Sequence, residues 1–313
     1  MDTMHAVRGH HRGGPEELRY EEAPRPVPAE GELLVRVRSA SITPGELDWD
    51  ATWTDALDGS GTPRLPITPA KEFSGTVAAL GPGVTDRSVD DEVYGLIPFT
   101  RDGAAAEFTV VPSVVVAGKP AELDHDATAA LPLAGLTAWQ GLVRHGGLRH
   151  GQRVLVHGGA GGVGALAVQV AAARGASVTA TAAARDADFV RELGAERVID
   201  YAGDRFEDQV DDVDLVFDTV GGDTLTRSWQ VLRPGGVLVG IVAPPAATGP
   251  DGRRGVFFVV EPDRAGLEEL NRLVRARQLT PLVAQVFPVE QAADAYARLD
   301  RPHRRGKIVL RVS

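Results

Sequence analysis

The sequence predicts an α/β chain of two domains: a small β domain, then a doubly wound parallel sheet, with a last segment that returns to the first domain. Three observations predict it. The chain has 313 residues, about twice the usual domain length. Residues 1–122 carry short β-like runs cut by Pro and Gly, whereas residues 123–260 alternate strand-like with helix-like segments. Residues 261–313 end in an apolar run, Lys307–Arg311. A terminal strand needs a sheet to join, and the first domain is its expected host.

In the β domain the runs are Leu33–Val37, Gly75–Ala79, Glu92–Leu96 and Phe108–Val111. Turn signals separate them at Pro24, Pro26 and Pro28, at Gly81-Pro82-Gly83 and at Asp102-Gly103. The second domain begins with strand Arg153–His157 and the Ala-rich helix Gly162–Arg174. Strand Ser177–Thr181 follows, then helix Asp186–Leu193, closed by Gly194. Arg197–Asp200, Leu215–Val220, Val237–Val242 and Val256–Val260 read as further strands. This alternation implies a parallel sheet with helices on both faces. Helical patterns over 263–277 and 290–299 precede the final strand.

Composition excludes several classes. With 33 basic and 43 acidic residues the net charge is −10, so no basic face for nucleic acid is expected. The chain has no cysteine, which rules out disulfides, thiolate zinc sites, iron–sulfur clusters and a thiol nucleophile, and is compatible with a reducing compartment. No apolar run reaches the ~20 residues of a membrane helix. The start, MDTMHAVRGHHRGG, lacks the apolar core of a signal peptide. A cytoplasmic protein without nucleic-acid or membrane partners is the expectation. The histidines form no HExxH pair, and Gly-x-Ser-x-Gly and Walker patterns are absent.

One segment carries chemistry. Strand Arg153–His157 runs into Gly158-Gly159-Ala160-Gly161-Gly162-Val163-Gly164 and then a helix. It contains Gly159-x-Gly161-x-x-Gly164 in a strand–turn–helix setting, the context that gives this pattern meaning. One glycine makes a tight turn, one lets the backbone approach a pyrophosphate, and one lets helix pack on strand. The helix N-terminus offers free N–H groups and a positive dipole end. The tip of the second strand chooses between NAD and NADP: a carboxylate there holds a ribose 2′-hydroxyl. Here it reads Thr181-Ala182-Ala183-Ala184-Arg185, with no carboxylate, and Arg185 can pair with a 2′-phosphate. This favours NADP(H), although Asp186 and Asp188 follow closely.

At these residues the chain resembles the zinc-independent quinone oxidoreductase branch of the medium-chain dehydrogenase/reductase superfamily. Further segments match in order: 129–140 (AALPLAGLTAWQ), Leu193-Gly-Ala195 with Val198-Ile-Asp-Tyr201, 214–222 (DLVFDTVGG), 232–236 (LRPGG) and 306–310 (GKIVL). The resemblance implies a GroES-like β domain (1–122 with 261–313) and a Rossmann dinucleotide-binding domain (123–260). It implies NADP(H) contacts from Thr137, the 159–164 turn, Thr181, Ala183, Arg185, Tyr201, Thr219, Val242, Phe257, Phe258 and Val259. It also implies a homodimer formed through an edge strand of the Rossmann sheet, for which Val237–Val242 and Val256–Val260 are apolar enough.

The departures shape the expected chemistry. Zinc-dependent relatives carry a Cys where this chain has Thr43, and a His-Glu pair where it has Lys71-Glu72. No catalytic metal is therefore expected. Relatives with a similar second strand often have Ser at position 183 and Asn at 186, where this chain has Ala183 and Asp186. Without a Lewis acid, electron-poor conjugated acceptors, quinones and α,β-unsaturated carbonyls, are the expected substrates. Thr43 and Tyr94 are the candidate donors to a developing oxyanion, and Lys71 a candidate source of positive charge. Trp49 and Trp53 either wall an aromatic substrate pocket or, spaced by four, pack one helical face on the core. His157, just before the glycines, is either near the cofactor or structural. Alternative readings are an enoyl thioester reductase of a biosynthetic pathway and a nucleotide-binding relative without catalysis. A methyltransferase is disfavoured, since it normally has an acidic second-strand tip and needs no flanking β domain.

Overall fold

The computed structural model describes residues 2–58, 60–299 and 305–313. The chain divides into two compact units: residues 1–133, 261–271 and 281–313, and residues 134–260 with 272–280. The first boundary falls about ten residues later than the expected 122/123. Residues 123–133 stay with the first unit because helix α2 (introduced below) packs on its strands, and residues 272–280 join the second.

The first unit opens with a hairpin, β1 (Thr3–Gly9) against β2 (Leu18–Pro24). Then come β3 (Glu32–Ile42), the short helix α1 (Asp50–Trp53), β4 (Glu72–Leu80), β5 (Glu92–Leu96), β6 (Phe108–Pro112), β7 (Val116–Gly118) and α2 (His125–Ala129). α2 is capped by Asp124, whose carboxylate accepts the Ala127 N–H. Helix α3 (Pro132–Trp139) leads into the second unit.

There the chain runs β8 (Arg153–His157), α4 (Gly162–Ala173), β9 (Ser177–Ala182), α5 (Ala187–Glu192), β10 (Arg197–Asp200), β11 (Val213–Asp218), α6 (Gly222–Arg227), β12 (Leu232–Gly240) and β13 (Arg254–Phe257). The sheet order is β10-β9-β8-β11-β12-β13 and every pairing is parallel. β8 and β11 lie side by side although β9 follows β8 in sequence, so the order reverses between them. That is the switch point at which open α/β sheets bind ligands. β11 stops at Asp218, short of the expected Val220, because Asp218 Oδ1 accepts the Val220 and Gly221 amides, both at 2.7 Å, and turns the chain.

Helix α7 (Arg264–Arg275), β14 (Val283–Pro288), α8 (Ala292–Leu299) and β15 (Lys307–Arg311) complete the chain. β15 joins the sheet of the first unit, in the order β14-β15-β3-β4-β5-β7, with β6 also on β3. Each unit has its own core. In the first, Val35, Val37, Phe73, Ile97 and Ile308 pack with Tyr296 of α8; in the second, Leu155, Ile199, Val216 and Leu238 pack with Phe206. Among the described residues no helix is long and apolar enough to cross a membrane.

Candidate active site

In the second unit the glycine segment forms a tight turn between β8 and α4. The left-handed residue is Gly158 (φ +77°), just ahead of the motif. Its Cα faces Thr219, which donates its hydroxyl to the His157 carbonyl at 2.7 Å and ties the ends of β8 and β11 together. Gly164 is the packing glycine: a Cβ there would lie 2.1 Å from the Gly158 carbonyl oxygen. No side chain caps α4, so its first amides, at Gly162, Val163 and Gly164, have no partner within the helix and face outward with its positive dipole end.

His157 is fully buried under this turn. The Gly158 amide donates to Thr181 Oγ1 (3.2 Å), and Ser228 Oγ donates to the Thr224 carbonyl (2.7 Å). Ser228 therefore accepts from His157 Nε2–H (3.1 Å), and Thr181 donates to His157 Nδ1 (3.1 Å). The ring is held as one neutral tautomer, and burial pushes its pKa down to about 3. Of its two sequence readings, the structural one holds. Thr181, expected at the cofactor, is itself buried and engaged in this network; it supports the turn from beneath. Thr137 in α3 is likewise buried.

The other expected cofactor residues line the carboxyl ends of the strands. Arg185 follows β9 with its side chain 53% exposed, 3.8 Å from Asp186. Ala183 is half-buried, and the Tyr201 amide at the end of β10 donates to the Ala182 carbonyl (3.2 Å) while its ring is exposed. Val220, Val242, Phe257 and Val259 are exposed apolar side chains at the ends of β11, β12 and β13. Phe258 points the other way, buried and stacked on His145 at 4.4 Å, so any contact it offers is through its backbone.

In the first unit Thr43 is half-buried at the end of β3. The antiparallel register that pairs Ile42 with Ile308 brings Lys307 beside it. Lys307 Nζ donates to Thr43 Oγ1 (2.7 Å) and pairs with Glu72 Oε1 (2.6 Å); Thr43 Oγ1 lies 3.4 Å from the same carboxylate oxygen, and Glu72 Oε2 accepts the Leu133 amide (2.8 Å). Sequence reasoning did not assign Lys307 a role. Its partners are far away along the chain, and the only signal was its place in the GKIVL segment.

Tyr94, a candidate proton donor, and Lys71, a candidate pocket charge, are corrected, and of the two readings of Trp53 the core one fits. Tyr94 is wholly buried, and its hydroxyl is engaged with the Leu267 carbonyl (2.9 Å) and Asn271 Oδ1 (2.8 Å), so it is a packing residue and no proton donor. Trp53 belongs to the core, its indole N–H donating to the Leu47 carbonyl (2.7 Å). Lys71 is buried rather than pocket-lining: its ammonium donates to the Arg101 carbonyl, and burial lowers its pKa to about 8 against the pull of Glu46. Burial also raises the Glu46 pKa, while that carboxylate accepts from the Ala70 amide (2.7 Å) and the Tyr296 hydroxyl (3.1 Å). Trp49 remains partly exposed, edge-on to Phe99. A groove of about 540 Å³ beside Arg25 and Phe108 contains none of the expected site residues.

Comparison with known proteins places these clusters in a family. Residues 29–121 match the alcohol dehydrogenase GroES-like domain, and residues 193–310 match the zinc-binding dehydrogenase domain. The chain is 32% identical to a probable zinc-binding oxidoreductase, mitochondrial, of Arthroderma benhamiae, over 92% of each chain. It is 34% identical to the NADPH-dependent alkenal/one oxidoreductase, chloroplastic, of Arabidopsis thaliana, covering 90% of this chain and 72% of that one. The quinone oxidoreductase structure from Coxiella burnetii superposes with a TM-score of 0.87 at 30% identity over the whole of both chains. Two of these names raise zinc, and the donor set here does not fit it. An ammonium group holds the Glu72 carboxylate, a threonine stands beside it, and among the described residues no three His, Cys, Asp or Glu side chains gather as a metal site. The chain belongs to the medium-chain dehydrogenase/reductase superfamily, among its quinone and alkenal/one oxidoreductases.

Proposed function

We propose that this protein is an NADPH-dependent oxidoreductase that reduces a quinone or another α,β-unsaturated carbonyl compound without a metal. The observation that carries the reading is the uncapped start of α4 at the switch point, paired with a β9 tip whose residues Thr181 to Ala184 carry no carboxylate and are followed by the exposed Arg185, 3.8 Å from the less exposed Asp186. Two relatives point the same way by name, as an NADPH-dependent alkenal/one oxidoreductase and a quinone oxidoreductase.

Bound NADPH supplies the hydride. The amides of Gly162, Val163 and Gly164 hold its pyrophosphate, and Arg185 answers its 2′-phosphate. The backbone around Thr219, Val242, Phe257, Phe258 and Val259 borders the nicotinamide, with Tyr201 and Ala183 beside the adenosine end. A hydride acceptor conjugated to a carbonyl places negative charge on oxygen, where a single hydroxyl donor such as Thr43 can meet it; Trp49 is the remaining aromatic wall. A homodimer and a cytoplasmic location are part of the proposal. β12 lies inside the sheet, between β11 and β13, so it cannot be the dimer edge expected of Val237–Val242; β13 is the last strand on that side, and its outer edge is itself bordered by residues 247–249, which pair with Arg253 to Gly255. Light scattering at micromolar concentration giving a monomer mass would remove the dimer, and cell fractionation tests the location.

The decisive experiment titrates the protein with NADPH and with NADH by nicotinamide fluorescence, then adds a small quinone or enone. NADPH binding with acceptor-dependent oxidation is expected. Binding without oxidation turns the reading to enoyl thioesters or to a non-catalytic role, and a preference for NADH removes the 2′-phosphate argument.

A further inference from the structure

We infer that Lys307 is a positioning residue for the reduction, acting through Thr43; this rests on the proposed function. Three features of the cluster carry the inference. Lys307 is nearly buried, 7% exposed, and its ammonium divides between Glu72 Oε1 at 2.6 Å and Thr43 Oγ1 at 2.7 Å. Glu72 is fully buried and is held from its other oxygen by the Leu133 amide, so the carboxylate fixes the ammonium in place. Thr43 is only half-buried, which makes it the most exposed of the three residues.

The hydrogen-bond directions then follow. An ammonium has N–H groups and no lone pair, so Lys307 donates and Thr43 Oγ1 accepts. The threonine hydrogen is left to donate elsewhere. Its internal acceptor, Glu72 Oε1, is 3.4 Å away and already taken by Lys307, a weak alternative to an incoming oxygen. The ammonium thus polarises the hydroxyl and leaves its proton free for the acceptor's carbonyl oxygen. Hydride adds to the electron-poor carbon, the displaced π-electrons settle on that oxygen, and the Thr43 hydroxyl hydrogen-bonds the resulting enolate or quinol anion. Water then supplies the proton, so no protein group is consumed. A fixed cation behind a hydroxyl does part of what a metal ion does in front of a carbonyl, without binding the substrate itself.

The test compares Lys307→Met, Thr43→Val, their double variant, and Thr43→Ser with and without Lys307→Met, in an NADPH–enone assay. Lys307→Met should lower kcat roughly tenfold, with KM and the NADPH dissociation constant within about twofold. In the Thr43→Val background the same change should cost less than about twofold, because the two act as one unit. Thr43→Ser keeps the hydroxyl and should keep the tenfold dependence on Lys307. Since Lys307→Met strands a buried carboxylate, the pair Glu72→Gln/Lys307→Met is made as well; it should melt near the parent temperature and show the same loss in kcat. Additive losses in the Thr43→Val background, or a pair variant with parental kcat, would overturn the assignment. A parent enzyme that binds NADPH but turns over neither quinones nor enones would overturn the proposed function and this inference with it; parental turnover with an unaffected Lys307→Met variant would overturn the inference alone.

Discussion

Replacing His157 by glutamine should make the second unit less sensitive to acid. In the folded protein the His157 pKa is lowered from 6.5 to about 3 by burial, with a smaller contribution from Arg227. In the unfolded chain the ring titrates at its ordinary value. Between those two pKa values the unfolded state binds a proton that the folded state does not, so stability rises with pH across the window and is lost as pH falls through it. From about pH 7.5 down to about pH 5 the single histidine therefore removes about 2 kcal/mol of stability. Glutamine presents an amide N–H to Ser228 and a carbonyl to Thr181, the two bonds the neutral ring makes, but it does not titrate. The assay is urea unfolding followed by tryptophan fluorescence, with Trp139 and Trp229 reporting on this unit. Every carboxylate common to both proteins cancels in the difference. The parent-minus-variant stability should fall by about 2 kcal/mol over that pH interval. Parallel profiles for the two proteins would show that His157 is not held neutral, and the tautomer argument beneath the glycine turn would fail.

Two other outcomes follow from the same turn. Arg185→Ala should weaken NADPH binding about tenfold or more, the loss of one charge-assisted contact to phosphate, while leaving NADH binding nearly unchanged; equal weakening of both cofactors in a fluorescence titration would deny Arg185 this role. Gly164→Ala places a methyl 2.1 Å from the Gly158 carbonyl oxygen, a backbone atom that cannot swing aside. It should cost about 1–3 kcal/mol in thermal unfolding and abolish measurable nucleotide binding, and a variant with parental melting and NADPH affinity would mean the turn is looser than its packing implies.

The sequence made much of the fold legible because strands buried in either sheet read as short, largely apolar runs between turn signals. β5, β8, β10 and β15 begin and end where the sequence places them. The β1–β2 hairpin and β14 were missed for the converse reason. β14 has no fully buried residue, and β2 is largely exposed, so neither shows a clear apolar pattern. Residue type misled where burial decided: Tyr94, Trp53 and Lys71 have side chains suited to a pocket, yet each has its polar atom engaged inside the protein. The glycine motif was legible as a whole but not in its parts. The left-handed turn falls on Gly158, outside the spaced three, and φ is not written in a pattern of glycines.

Lys307 marks where local reading ends. It lies 264 residues from Thr43, and nothing near it in sequence distinguishes it from a charged residue opening an edge strand. What assigns it is the return of β15 to β3 in a register that sets Ile308 opposite Ile42. A slip of one residue would turn the Lys307 side chain to the other face of the sheet and leave Glu72 buried without its cation, a cost of several kcal/mol that a folded chain does not tolerate. The ion pair and the register therefore specify each other. The same closure of the first unit that completes its sheet also delivers the positive charge to the position from which metal-binding residues are missing. If Lys307 acts as proposed, the final strand serves the chemistry as well as the fold.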